Sequence, residues 1–500
     1  MTLKHRQFHL LVICAAIIAV IVLFYPAASN ALLATKAHLY RYSYSVPRNL
    51  EVKNLSEFAP AEAVPVLMYH GVVVDGTLET ENEKNTERDI FIAQMEMLKR
   101  EGFQTISVKE YNEFIQGKFT LPAKPIILTF DDGRRDSFYT VDEVLEKLGF
   151  KATIFIASIK ANQSDTFYLT WDELKHMKTT GRWEIEAHGE KSHEDIAVDE
   201  NGSTGKYLTS RMYIPGQGLE SIEDYEKRVE ADYLKNIADL KGNLGIDAKY
   251  FAIPLNSYGY IDDSNYDGAF ALNDKLTRRY FKLAFFQVPL KDGKPIETFY
   301  NYKDSNSYRV RRLDVQNISA DELLQALEKY EPRNAFFEFP SAQKDLLIDL
   351  LYGSAETDEG GIRLTSGPNT SGRMLFGDQG WKNYTVTARI VREKGNSVSL
   401  VAYYTDEDNF ISLDWSGKLV RLVEYVDGKE HELASYYPWE KTGEVEVLIS
   451  VVDGKVMSYF SGKMISRNVP TQLSRGASGF DVWDPEGGAQ SKIKRIKIND

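Results

Sequence analysis

Ile126-Ile127-Leu128-Thr129-Phe130-Asp131-Asp132-Gly133 decides how this chain is read. An apolar, β-branched run ends abruptly in two carboxylates and a glycine. Such a run, closed by a turn residue, reads as a buried strand. Side-by-side carboxylates at a strand tip are costly, because each raises the pKa of the other. A bound cation removes that cost. Taken alone, an Asp-Asp-Gly turn is most often a solvated loop, so the reading depends on further ligands.

The chain supplies them in Trp183-Glu-Ile-Glu-Ala-His188-Gly-Glu-Lys-Ser-His193. Trp183 to Ala187 reads as a second short strand, with His188 where it ends. One Asp and two His are three protein ligands, which leaves coordination positions open, as in a catalytic rather than a structural metal site. Imidazole and carboxylate suit Zn²⁺ first, with Co, Ni, Fe or Mn as alternatives.

Thr129-Phe130-Asp131-Asp132 and the His pair resemble the first two motifs of the polysaccharide deacetylase family, the NodB-homology or carbohydrate esterase 4 group. The His residues are five apart, and with Pro65-Val-Leu-Met-Tyr-His70 this is similar to the branch that deacetylates poly-β-1,6-N-acetylglucosamine. The resemblance covers residues 61–340. It implies an irregular (β/α) barrel, with metal ligands Asp132, His188 and His193 and with Asp131 as general base. It also implies a general acid. In the resembling branch a histidine on the opening strand fills that role, and His70 matches it; the late Leu-x-x-His histidine of most other members has no counterpart, since Glu328 to Pro340 contains no His. The third family motif, Pro-Tyr-Gly, is altered: Pro254 is separated from Tyr258-Gly259 by extra residues. Pro254 and Tyr258 are the candidates for the substrate wall. Arg311 and Arg312 are candidates to orient an acidic partner such as Asp131.

The remaining features bound the class. Five hundred residues imply two or three domains. A net charge of -13 argues against nucleic acid as a partner. The one cysteine, Cys14, excludes an intramolecular disulfide. Lys4, His5 and Arg6 precede the apolar residues 10–24, and small residues follow up to Ala31. Residues 1–31 therefore read as a signal peptide or as an N-terminal membrane anchor through residues 10–24. Either places the body outside the cytoplasm: periplasmic, secreted, or on the outer face of the membrane. Residues 32–60 read as a linker.

Strands at Val64–Tyr69, Thr153–Ala157, Tyr250–Ile253 and Leu283–Phe286 alternate with helical patterns, among them Phe91-Met95-Leu98, Val141–Leu148, Trp171–Met177, Glu220–Lys241 and Ala320–Tyr330. Alternation of this kind implies a parallel sheet, with function at the strand ends. From residue 345 to 500 the period changes to two, and turn pairs recur at Ser416-Gly417, Asp427-Gly428, Asp453-Gly454 and Ser461-Gly462. That pattern predicts an all-β jelly-roll sandwich. Trp381 to Trp415 resembles concanavalin-A-like domains, which would make this a candidate carbohydrate-binding domain. Alternation itself places most of its aromatics in the core. The expected function is an exported, metal-dependent deacetylase of an N-acetylhexosamine polymer. The alternatives are an O-acetyl polysaccharide esterase on the same site, or a non-catalytic glycan-binding protein.

Overall fold

The structure, a computed structural model, describes residues 43–74, 85–163, 167–259, 264–291, 293–316, 318–340, 348–358, 360–368, 371–438 and 443–499. The expected signal or anchor segment, with Cys14 and residues 10–24, lies outside the described residues, as does the linker up to residue 42. Among the described residues, no helix is long and apolar enough to cross a membrane.

Seven parallel strands close on themselves in the first half of the chain. They are β1 (Ala63–Tyr69), β2 (Pro125–Phe130), β3 (Ala152–Ile156), β4 (Trp183–Ala187), β5 (Tyr250–Ala252), β6 (Leu283–Gln287) and β7 (Val310–Asp314). Each pairs in parallel with the next. β1 also pairs with β7, which shuts the barrel. Every residue of β1 and β2 is buried, as expected of strands covered on both faces. Val64, Val66, Ile127, Phe155, Ala252, Phe285 and Val310 pack together at alternate positions as the barrel filling. Because all seven strands run the same way, their C-terminal ends share one rim.

The helices form where the apolar spacing placed them. α1 (Arg88–Arg100) buries Phe91, Met95 and Leu98. α2 (Asp142–Leu148) stops at Gly149, whose φ of +68° suits a residue without Cβ. α3 (Trp171–Thr179) starts from a capping box between Thr170 and Glu173. α4 (Ile222–Leu244) buries Tyr225, Val229, Asp232, Tyr233, Asn236 and Leu240. The sequence pattern missed β7: Arg311 and Arg312 interrupt its apolar run, yet every residue of it is buried.

The chain divides into two compact units. One holds the residues up to Gln287 with Lys303–Leu323, the other Val288–Tyr302 with Leu324–Asp500. Residues 324–340, expected with the first domain, thus group with the second. One reason is local: Phe336–Phe339 pairs antiparallel with Gln490–Asn499. The second unit is built on two antiparallel sheets, one of eight strands and one of seven. Val386, Ile449 and Ile496 from one sheet and Leu400, Leu413 and Phe480 from the other fill a single core between them. That is a β-sandwich. Two of the turn pairs, Asp427-Gly428 and Asp453-Gly454, are two-residue hairpin loops: Val426 pairs with Lys429 and Val452 with Lys455. Asp427, Gly428, Asp453 and Gly454 all have φ between +48° and +72°, as hairpin turns of the primed types require. Trp381, Tyr403, Tyr404 and Trp415 are buried, so they are core rather than sugar platforms.

Candidate metal centre

The closed barrel brings three strand ends together. β1 runs into His70, β2 into Asp131 and Asp132, and β4 into His188. The ladder continues one residue past each of the latter two: Asp131 N–H donates to Tyr69 O at 3.0 Å and His188 N–H to Ile156 O at 3.0 Å. The main chain then turns sharply. Asp132 has φ +73°, a left-handed conformation unusual for a residue with a side chain. Gly133 follows at φ +75°, and a Cβ there would lie 2.8 Å from Ile156 Cδ1. Backbone strain of this kind concentrates at functional sites.

Asp132, His188 and His193 meet. Asp132 Oδ1 lies 3.1 Å from His193 Nε2 and 3.5 Å from His188 Nε2. One ligand atom from each of the three fits within 4.8 Å of the others. Ligands at tetrahedral angles about Zn²⁺ stand roughly 3.3 Å apart, from bond lengths of about 2.0–2.1 Å. The two separations from Asp132 are close to that spacing, so the donor set is of the right kind and size for a small divalent ion. His188 Nδ1–H donates to Ala252 O at 2.7 Å, which fixes the tautomer and leaves Nε2 free for a metal. Burial opposes the charge on Asp132, but hydrogen bonds from His188 and His193 outweigh it and hold the carboxyl well below its ordinary range. Burial, reinforced by the nearby His188, holds the His193 imidazole below its usual value, toward the neutral form that metals bind.

Asp131 stands beside this cluster without belonging to it. Its Oδ2 is 3.9 Å from His188 Nε2. Arg312, on β7, clasps it with Nη1–H to Oδ1 at 2.7 Å and Nη2–H to Oδ2 at 2.8 Å. The guanidinium is fully buried, 5.5 Å from the ring centre of Phe155 and 6.0 Å from that of Phe285. Burial raises the Asp131 pKa, but Arg312 and then His188 outweigh it, so the carboxyl is held below its ordinary range. Of the two arginines considered from sequence, Arg312 makes the bond to Asp131.

His70 is buried, and Ser137 Oγ–H donates to its carbonyl at 2.6 Å. Its Nδ1 has no hydrogen-bond partner among the described residues, so no core hydrogen bond at Nδ1 explains it. Its charge helps to lower the pKa of both Asp131 and Asp132. Pro254 follows β5 at the same rim and is buried. Tyr258, expected at the substrate wall, is 5 % exposed, and its hydroxyl donates to Tyr308 O at 2.7 Å. Leu255 takes the open position instead: it is 38 % exposed with φ +57°. Asn256 anchors that turn, accepting from Gln287 N–H at 2.9 Å.

Asp232 escaped the sequence reading. It sits on the buried face of α4 and accepts from the N–H groups of Glu190 and Lys191 and from Ser192 Oγ–H. An acidic residue on the face that carries Tyr225, Val229, Tyr233 and Leu240 was the available signal.

The fold is thus a closed parallel barrel whose C-terminal rim carries an Asp–His–His cluster able to hold a metal ion. The chain carries a polysaccharide deacetylase domain: the model of the family described as polysaccharide deacetylase matches residues 118–267. The Bacillus subtilis protein YxkH, named as a polysaccharide deacetylase, is 32 % identical over 125 residues, covering 25 % of this chain and 42 % of that protein. The poly-β-1,6-N-acetyl-D-glucosamine N-deacetylase of Escherichia coli is 23 % identical over 292 residues, 54 % of this chain and 42 % of that protein. The chain thus spans less than half the length of these relatives. Among solved structures, the de-N-acetylase from Aggregatibacter actinomycetemcomitans superposes with a TM-score of 0.44 at 19 % identity, covering 53 % of this chain and 98 % of that one.

Proposed function

We propose that the chain is an exported, metal-dependent polysaccharide N-deacetylase that hydrolyses the N-acetyl groups of an N-acetylhexosamine polymer. One observation carries the reading. Ligand atoms of Asp132, His188 and His193 lie within 4.8 Å of one another, while the Asp131 carboxylate beside them is clasped by a buried arginine. The name of the Escherichia coli relative supports an amino-sugar polymer as substrate. Export rests on the basic residues, apolar run and small residues within residues 1–31.

Asp132, His188 and His193 would hold the ion, with zinc the first choice for this ligand set. When bound, a divalent ion supplies a Lewis acid that polarises the acetyl carbonyl and lowers the pKa of water toward ~7. Asp131 takes the proton of the attacking water. Arg312 fixes its rotamer and keeps it anionic, so both carboxylate oxygens enter the reaction unprotonated. His70, at the end of the neighbouring strand, gives a proton to the departing sugar amine, for which an imidazole is suited near neutral pH. The products are acetate and a polymer carrying an ammonium group. Pro254 and Leu255 form the part of the rim against which the sugar ring lies; Tyr258 supports that turn from behind.

The deciding assay is amine release from N-acetylglucosamine oligomers, run with the purified protein, with a chelator, and with zinc restored. Release that stops with chelator and returns with metal is the expected result. Metal-dependent acetate release from O-acetylated xylan alone would replace the proposal with an esterase. No release from either, with glycan binding retained, would leave a binding protein.

A further inference from the structure

His188 and His193 are held in different ways. The His188 ring is anchored directly, by Nδ1–H to Ala252 O at 2.7 Å. The His193 ring has no such partner, and its Nδ1 is buried without a hydrogen bond among the described residues. What fixes His193 is therefore the main chain that carries it. That main chain is a tight turn, Gly189-Glu-Lys-Ser192, with a metal ligand at each end. Gly189 has φ +79°, and a Cβ there would collide with Ser192 Oγ and lie 2.8 Å from Asp232 Oδ2. The turn folds around one carboxylate. Asp232 Oδ1 accepts from Lys191 N–H at 2.6 Å; Oδ2 accepts from Glu190 N–H at 3.1 Å and from Ser192 Oγ–H. One helical turn further, Asn236 Nδ2–H donates to Ile156 O at 3.1 Å. That same carbonyl receives His188 N–H.

The geometry points to Asp232 as the positioning residue of the metal centre, which sets metal affinity by presenting His193 through the Glu190–Ser192 turn. This rests on the reading of Asp132, His188 and His193 as ligands. Two physical arguments favour it. The spacing of five between the His residues leaves two inward N–H groups that need an acceptor in a buried place, and Asp232, 3 % exposed, provides it. The helix also reaches the other histidine: Asn236, one turn beyond Asp232, donates to Ile156 O, the carbonyl that receives His188 N–H, so one helix face holds the main chain of both. Partners of metal-binding histidines commonly contribute ~10- to 100-fold to affinity.

The test is metal binding by the full chain, not turnover. Zn²⁺ and Co²⁺ are titrated in competition with a chromophoric chelator into the wild type and into Asp232→Asn, Ser192→Ala, His193→Ala and Asp232→Asn/His193→Ala. The visible spectrum of bound Co²⁺ and the melting of each metal-free form are recorded as well. Asn keeps the shape of Asp232 but loses its charge and one acceptor oxygen. Expected are ~10- to 100-fold weaker binding and an altered Co²⁺ spectrum for Asp232→Asn, a few-fold loss for Ser192→Ala, and metal-free melting close to wild type. The double variant should bind no more weakly than His193→Ala alone, since Asp232 acts through His193. Wild-type affinity and spectrum in Asp232→Asn overturn the inference. So does a loss of affinity that merely tracks a loss of metal-free stability, or full additivity with His193→Ala. Unimpaired binding by His193→Ala would instead refute the ligand assignment itself.

Discussion

Replacing Arg312 with Met removes the buried half of an ion pair and leaves the other half in place. The side chain is fully buried and makes both of its short bonds to Asp131, itself 1 % exposed. The variant leaves a buried carboxylate with no guanidinium to offset its charge. Breaking a buried pair on one side costs about 3–5 kcal/mol. Asp131→Asn strands the arginine instead and should cost a comparable amount. The double variant strands neither group, so it should cost clearly less than the sum of the singles. Calorimetric or denaturant unfolding of the four proteins gives the coupling energy, expected at about 2 kcal/mol or more on the scale for strongly interacting pairs. Activity follows the geometry. With its base no longer oriented, Arg312→Met should lose on the order of 10²–10⁴ in kcat, the usual contribution of general base catalysis. Arg312→Lys keeps the charge but not the two-pronged fork, so it should recover stability better than rate. Simple additivity of Arg312→Met and Asp131→Asn in stability would refute the view that the two side chains form one unit.

Two further predictions concern the barrel floor and the sandwich core. Burial raises the pKa of Glu184, outweighing the bonds it accepts from Lys109 N–H and Thr153 Oγ–H, while Glu110 repels it. A carboxyl whose folded pKa is raised binds its proton more tightly when folded, so stability falls as pH rises through the unfolded value toward the folded one. Glu184→Gln removes that titration. Its stability advantage over wild type in melts from pH 4 to 8 should therefore grow with pH and then level off; a constant difference would contradict the assignment. Trp415, 3 % exposed and edge-on to Phe460, should cost about 3–5 kcal/mol as Trp415→Ala. Exposed Trp483, at the end of a strand in the same sheet, should cost under about 0.5 kcal/mol in the same unfolding measurement.

The parts of the fold that were legible obey a single local rule. β1 and β2 are continuous apolar runs because both faces are covered. The sandwich hairpins announce themselves because positive φ at both loop positions favours Asp-Gly pairs. Asp132, His188 and His193 could be paired from sequence because each sits just past, or a turn beyond, a recognisable strand end. The edge between the units was not legible. Residues 336–339 pair with the end of the chain, some 160 positions away, and strand pairing at that distance leaves no periodic trace.

What stayed hidden has a common cause. Arg312 and Asp232 are charged residues on buried faces, where local pattern reads a charge as solvent. In β7 the arginine breaks the apolar alternation, so the strand that closes the barrel and carries the partner of Asp131 goes unread. In α4 the aspartate makes a core face look like an exposed one. Yet burying either charge is costly unless a specific partner offsets it. Each has such a partner: Arg312 has a carboxylate, and Asp232 has three convergent donors. The rule is therefore usable in reverse. In a strand or helix whose other positions are core, a charge marks a specific buried partner, and for Arg312 and Asp232 that partner lies at the candidate site. Tyr258 shows the opposite failure: a residue with the right chemistry for a sugar wall is spent on Tyr308 O, while the turn presents aliphatic Leu255. An aliphatic side chain at that place offers no hydrogen bond to a sugar hydroxyl. On the proposed reading, in which the sugar rests against this turn, hydrogen bonds to it have to come from other groups on the rim.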